Sequence, residues 1–411
     1  MPDDYDLYVG IDWATEVHRV CLLDPQGRLL EERGVAHTGA ALAELADYLA
    51  GRVDDVRRIA VAIEVPRGAV VETLLERGLH VYVLNPKQLD RFRDRYTVAG
   101  AKDDRRDARV AADALRTDRA AFRRLQIEDP HVIQLREVSR LHDDLGQEHT
   151  RLANRLREQL LRFYPQALTL CPAADEAWLW TLLEQAPHPE AGQRLSVATL
   201  QTLLRQHRIR RFTGEDLRAA LHATPLRVAP GTVEAAGEHI ALLVPRLRLV
   251  RDQQAHCERR LEALLLALAT PTAGEAREHR DVEILRSLPG VGSLVAATML
   301  AEASRPLTAR EYQTVRAQTG VAPVTRQSGK HAVVVMRYAC NHRLRNAMYH
   351  WALNSLRYDA ACRAHYARLR KQHHHARALR GVADRLLRIL MAMLEAGTLY
   401  DPARHAEKIP A

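Results

Sequence analysis

The chain has 411 residues, two to three times the length of an ordinary domain. Hydrophobic residues make up 47% and charged residues 27%, which excludes a disordered or fibrous chain. The net charge is +9, with 55 Arg against 5 Lys. No stretch approaches the roughly 18 apolar residues of a membrane span. The opening MPDDYDLYVGID is acidic and runs into a strand, unlike a signal peptide, so a cytoplasmic protein is expected. Five cysteines without CxxC spacing read as reduced thiols, not as a disulfide frame or zinc site.

The first part alternates strands and helices. Leu7 to Asp12 is a short apolar run suited to a central strand. Val17 to Asp24 and Leu29 to Ala36 follow as strands joined by the short turn at Pro25-Gln26-Gly27, so they are antiparallel. Ala40 to Leu49 is helical by period. Ile59 to Glu64 is a fourth strand, Gly68 to Arg77 a helix, Leu79 to Leu84 a fifth strand, and Asp103 to Arg116 a helix. Three hairpin-linked strands followed by helix, strand, helix and strand describe a ribonuclease-H-like mixed sheet. A doubly wound nucleotide-binding fold is the competing arrangement, but no glycine-rich phosphate loop follows the first strand.

The second part is helical. Ile240, Leu243, Leu247, Val250, Gln254, Cys257, Leu261, Leu264 and Leu268 keep 3-4 spacing, a coiled-coil seam with one polar break at Gln254. Period alone does not separate a coil between chains from an antiparallel pair within one. The expectation tested below is that this helix drives self-association. Pro245 lies off the seam and is expected to kink the helix or begin it.

The third part opens with LRSLPGVGSLVAATMLA. A helix stops at Pro289-Gly290 and another begins after Gly292, a helix-hairpin-helix signature. Its two glycines, Gly290 and Gly292, let backbone N–H groups approach a phosphate. From Arg326 to Leu390 there are 14 Lys/Arg and 2 Asp/Glu. That net of +12 leaves the rest of the chain at −3, and a basic third on a near-neutral body fits a polyanion partner. His373, His374 and His375 do not share a helical face and read as surface.

Four acids carry candidate chemistry. Asp12 ends the first strand and Glu64 the fourth, and these strands are neighbours in a ribonuclease-H-like sheet. Asp104 and Asp107 lie three apart on the later helix and share a face. Four convergent carboxylates repel unless a cation neutralises them, and oxygen-only ligands select Mg²⁺, with Mn²⁺ as a substitute. Two such ions clamp the attacking and leaving oxygens of a phosphoryl transfer. Asp103 points about 100° away from Asp104 on a helix and reads as an outer neighbour or a solvent-facing acid. Ser328 sits in VTRQSGK, flanked by Arg326 and Lys330 and followed by Arg337, Arg343 and Arg345. A serine attacking a phosphodiester needs such cations and an exposed turn. His331 is the only adjacent histidine, so a hydrolase triad is unsupported.

The run AIEVPRGAVVETLLERGLHVYVLNPKQLDRFRDRYTVAGAKDDRRDA resembles the N-terminal domain of IS110-group transposases. So do YVGIDWATEVH before it and LPGVG, GVAPVTRQSGK and HRLRNAMYHWAL after it. The resemblance covers nearly the whole chain and is weakest from about 165 to 232. It implies a RuvC-like domain over 1–125 whose Asp-Glu-Asp-Asp set falls on Asp12, Glu64, Asp104 and Asp107. It implies a helical, coiled-coil domain over 126–275 used in self-assembly. Over 276–411 it implies a transposase domain whose nucleophile falls on Ser328. The activity it implies is DNA recombination through a covalent phosphoserine, in a homo-oligomer guided by a structured RNA from its own element. Two departures stand next to the mapped acids: Asp103 replaces a small or polar residue, and Trp13 is bulkier than the usual neighbour. A junction-resolving nuclease that uses water, and a non-catalytic nucleic-acid-binding protein, are the competing functions.

Overall fold

The computed structural model describes residues 5–95, 104–269, 278–329 and 331–403. Asp103 and Lys330 fall outside them. The chain forms two compact units, Met1–Asp129 and Pro130–Ala411.

The first unit is built on β1 (Leu7–Asp12), β2 (Val17–Leu23), β3 (Leu29–Ala36), β4 (Ile59–Ile63), β5 (His80–Val83) and β6 (Arg123–Arg124). Their order in the sheet is β3-β2-β1-β4-β5-β6. β1 pairs antiparallel with β2 and parallel with β4, and β5 continues the parallel run. This is the ribonuclease-H-like arrangement expected, with β6 added antiparallel at the edge. The helices are α1 (Gly39–Ala50), α2 (Ala69–Glu76), α3 (Pro86–Arg93) and α4 (Asp104–Asp118).

Alternation along the strands sorts the sheet into two faces. Leu7, Val9, Ile11, Ile59, Val61 and Ile63 pack with Leu42, Leu45 and Leu49 of α1 and with Val70 and Leu74 of α2. The other face is built of small residues, Ala60 and Ala62, beside Tyr8 and Tyr82. It packs against Ala108, Ala111, Ala112 and Leu115 of α4. Gly10 belongs to that face by position. A Cβ on Gly10 would overlap the Ala108 carbonyl oxygen and stand 2.6 Å from the Ala112 nitrogen. The missing side chain therefore lets the backbone of α4 lie directly on β1.

The second unit is helical apart from one hairpin. Its first helices are α5 (Pro130–Phe163), α6 (Pro165–Leu170), α7 (Ala177–Gln185), α8 (Pro189–Gln193), α9 (Val197–Gln206), α10 (Gly214–Leu221) and α11 (Thr232–Ala269). There follow α12 (Glu278–Ser287), α13 (Ser293–Glu302), α14 (Ser304–Thr308) and α15 (Tyr312–Gln318). The hairpin of β7 (Val324–Ser328) and β8 (His331–Val335) leads to α16 (His342–Tyr358), α17 (Ala360–Arg370) and α18 (His375–Ala396).

The seam of α11 is covered by its own chain. Ile240, Leu243, Leu247, Leu261 and Leu264 are each at most 3% exposed. Arg260 donates to Gln134 at 3.0 Å, and His142 lies 3.4 Å from Glu258, so α5 and α11 run antiparallel. Gln254, the polar break in the seam, lies against Gly146 of α5. The seam is thus covered within this chain. Pro245 lies inside α11 and does not begin it.

Between α12 and α13, Gly290 adopts φ +82°, and a Cβ there would stand 2.5 Å from the Ser355 nitrogen. Trp351 Nε1 donates to the Pro289 carbonyl at 3.1 Å. The turn is the seat of α16, and Gly290 serves that packing.

Two outcomes follow from this packing. Gly10→Val removes the protection of the β1 and α4 amides in hydrogen exchange while leaving α5 and α11 protected, because the overlap is with backbone that no rotamer relieves. Leu247→Glu with Leu261→Glu unfolds the α5–α11 pair at constant oligomer mass, seen as loss of helical circular dichroism with light scattering of the remaining folded fraction unchanged.

Candidate functional site

β1 and β4 run parallel with Ile11 opposite Ile63. The next step of that register sets Asp12 beside Glu64, about 4.8 Å apart between strands. Position 12 follows the Tyr8 and Gly10 series and position 64 the Ala60 and Ala62 series, so both fall on the face that α4 covers. Asp104 opens α4 and Asp107 closes its first turn, one residue before the contact on Gly10. The helix N-terminus favours negative charge there. Asp107 is 2% exposed.

The charge on Asp107 is balanced by a residue that the sequence motifs did not single out. Arg93, the last residue of α3, donates through Nε to Oδ1 at 2.6 Å and through Nη2 to Oδ2 at 2.8 Å. Burial lowers the guanidinium pKa, but Asp107, Asp90 and Glu64 together hold it above its ordinary value. Arg93 reaches this place because α3 packs on the same side of the sheet as α4. Asn85 caps α3 by accepting from the Lys87 N–H, Leu89 is buried, and Phe92 lies 5.8 Å from Phe122. The available signal was Leu89 and Phe92 three apart after an Asn-Pro start, a short helix with Arg93 at its end.

The turn after Asp12 is also fixed. His18, fully buried, accepts the Ala14 N–H at Nδ1 (3.1 Å), so its Nε2 carries the proton and donates to His37 Nδ1 at 2.9 Å. Burial, then His37, lowers the His18 pKa. Trp13, 41% exposed, lies over this pair with ring centres 6.3 and 6.4 Å away. The bulk noted beside the first acid is therefore supported from below.

The carboxylates fit a hard divalent cation in donor chemistry: oxygen only, one of them buried, at a helix N-terminus. Among the described residues, the metal-capable group whose ligand atoms all lie within 4.8 Å is Cys171, Asp175 and Glu176. Both Asp107 oxygens are on Arg93. The three-residue group is occupied in another way, since Arg211 and Trp178 both donate to Glu176.

In the second unit Ser328 is the last residue of β7, opposite His331, with the turn at Gly329. Arg326 is exposed on the same strand. Arg337 is partly buried, and its Nε has no hydrogen-bond partner among the described residues. Arg343 is committed to the protein: it pairs with Asp143 at 2.6 Å and with Asp144 at 3.5 Å. Arg345 is partly buried beside His342 and Asn346. Gly292 caps α13 with open space around its Cα, in contrast to Gly290.

The stretch that carries this sheet and its acids matches a transposase family in sequence. The DEDD transposase model of IS110 covers residues 9–165, and a model described as transposase of the IS116/IS110/IS902 family covers 282–367. The protein is thus a transposase, an enzyme that binds DNA, and its DEDD domain implies dependence on a divalent metal. A candidate transposase of the IS117 mini-circle from Streptomyces coelicolor is 34% identical over 98% of this chain and 97% of its own length. The 43.6 kDa protein of insertion element IS110 from the same organism is 29% identical over 97% and 96%. The Sinorhizobium fredii protein y4uE, another candidate transposase, is 52% identical over 52% of this chain and 60% of its own. The chain belongs to the IS110 family of transposases.

Arg93→Met leaves a buried carboxylate without its counter-charge. The expected destabilisation of the metal-free protein is near the low end of about 3–5 kcal/mol, because Arg93 is partly exposed. Mn²⁺ is expected to recover more stability in Arg93→Met than in the wild type. Chemical denaturation with and without Mn²⁺ measures both, and equal metal responses would leave Arg93 without a part in the charge balance of the acids.

Proposed function

We propose that this transposase cuts and rejoins DNA strands with two sets of residues, an acidic set in the first unit and a serine in the second. Asp12, Glu64, Asp104 and Asp107 hold Mg²⁺, and Ser328 is the nucleophile. The observation that carries the reading is the register of β1 with β4 under α4, which gathers the two strand acids and the first turn of the helix at one edge of the sheet. A bound Mg²⁺ supplies positive charge to the phosphate oxygens of the reacting strand. The carboxylates orient that charge, and α4 with Arg93 keeps Asp107 in place and neutral in sum.

Ser328 lies at the end of an exposed hairpin with Arg326 on the same strand and no acid within it. Attack of its hydroxyl oxygen on phosphorus forms one ester bond as the strand's own P–O bond breaks. The number of phosphoester bonds is unchanged, so the cut end keeps its energy for rejoining. Acids and serine belong to different compact units, and the working form is a homo-oligomer. Self-association is assigned to the outer side of the helical pair, where Leu242 is 70% and Leu249 57% exposed, and not to the covered seam. Guidance by an RNA from the element is part of the proposal by family resemblance. The basic third from Arg326 to Leu390 supplies charge for such a polyanion.

The test is denaturing electrophoresis of labelled DNA with Mg²⁺. Wild type is expected to give a protein–DNA adduct, and Ser328→Ala none, with cleavage lower by several orders of magnitude. Asp12→Asn is expected to abolish adduct and strand exchange with the fold retained, since losing one of several like charges relieves repulsion, whereas Asp107→Asn is expected to abolish both and to lower stability as well, because it weakens the pair with Arg93. A Ser328→Ala protein that cuts at the wild-type rate would assign the reaction to water.

A further inference from the structure

The hairpin of β7 and β8 stands over the start of α18 and forms with it an open cavity of about 510 Å³. Arg326 lines it from β7, and Arg377 and Arg380 line it from α18. The one carboxylate in its wall, among the described residues, is Asp384. That group is already matched, because Arg316 donates to both of its oxygens at 2.7 and 2.9 Å. Three guanidinium groups therefore share a cavity whose described wall holds no uncommitted acid. Arg377 and Arg380 are close enough to repel, and burial followed by Arg377 lowers the pKa of Arg380. His374, from the run of histidines that composition left as mere surface, lies at the same wall. Tyr338, 69% exposed, stands at the rim.

We propose that this cavity is a phosphate site for an unpaired nucleotide of the DNA strand on which Ser328 acts, an inference that rests on the function proposed above. Like charges held together in a cavity are stabilised by an anion, and planar guanidinium groups match a phosphate in two-point contact. The volume admits a nucleotide. Tyr338 offers a ring face to a base or sugar at the mouth. Arg326 lies two residues before Ser328 on an extended strand, about 6.6 Å along the chain. The phosphate held here is thus near the bond that is cut. The cavity fixes the strand end next to the scissile bond, so that the cut end is retained for rejoining.

The experiment measures binding of a labelled single-stranded DNA oligonucleotide as a function of salt. It compares wild type, Arg377→Gln/Arg380→Gln and Arg377→Lys/Arg380→Lys. The Gln pair is expected to bind about tenfold more weakly. Its plot of log affinity against log salt should be shallower by about 0.7 for each phosphate that the protein no longer neutralises. The Lys pair keeps the slope and loses part of the affinity. Arg377→Gln alone, at an exposed position, gives the same reading if the double variant does not fold. A folded Gln pair with unchanged affinity and slope overturns the proposal. A loss confined to RNA of the same length overturns the assignment to DNA. Adduct formation by the same proteins separates this inference from its premise. An adduct in wild type with no change in binding removes the cavity alone. Weakened binding in a protein that forms no adduct keeps the phosphate site and removes the serine mechanism.

Discussion

The contact of α4 on Gly10 is the constraint on which the acid site depends. A side chain at Gly10 would collide with helix backbone, which has no rotamer to move. With Gly10, Ala60 and Ala62 beneath it and alanines on its own underside, α4 approaches the sheet more closely than Leu-sized residues would permit. Asp107 precedes the contact residue Ala108, so the depth of the helix sets where that carboxylate stands. The other face of the sheet, filled with Val, Ile and Leu against α1 and α2, supplies the larger apolar burial. One face thus holds the sheet together, and the other trades bulk for proximity to chemistry.

Close approach creates an electrostatic problem, and Arg93 answers it. An acid 2% exposed near Glu64 is unfavourable without positive charge. The bidentate pair with Arg93 supplies that charge from the protein itself. The oxygen-only donor set suits a hard cation, and the Asp107 carboxylate is oriented by the guanidinium.

Much of this was legible in the sequence, for identifiable reasons. The strands of the first unit carry period-2 or wholly apolar runs bounded by Gly, Pro and Asp. The antiparallel pairing of β2 with β3 followed from the short turn between them. The acids followed because two of them end neighbouring strands. Arg93 stayed hidden because α3 is short and polar, with Leu89 as its one buried residue, and its partner lies 14 residues further along the sequence. The direction of the α11 seam was illegible for a different reason. Heptad spacing states that a stripe is buried but not by which helix. What decides the matter is Gly146 opposite Gln254, together with the pairing of Arg260 with Gln134. Likewise Gly290 carries the same letters whether its bare backbone faces a phosphate or, as here, the backbone of α16.

The arginines show why composition alone misplaces binding residues. Arg343 looked like a nucleic-acid contact from its basic neighbours, yet Asp143 and Asp144 hold it to α5. Arg140 is spent similarly, on Glu302, which is also held by Asn341 at 2.9 Å. Burial works against the charge of Glu302, but Arg140, Asn341 and Arg136 keep its carboxyl below the ordinary range. These contacts brace the approach to α16 against α5 and leave those guanidinium groups little to offer a phosphate. The cationic character that remains available is set by which arginines lack an acid within reach, not by how many a segment contains. By that criterion the positive field around the hairpin comes from Arg326 with Arg377 and Arg380 on α18, some fifty residues later in the chain. A residue count along the sequence ranks Arg343 beside Arg377, whereas the pairing of charges in space separates them: Arg343 is paired with Asp143 and Asp144.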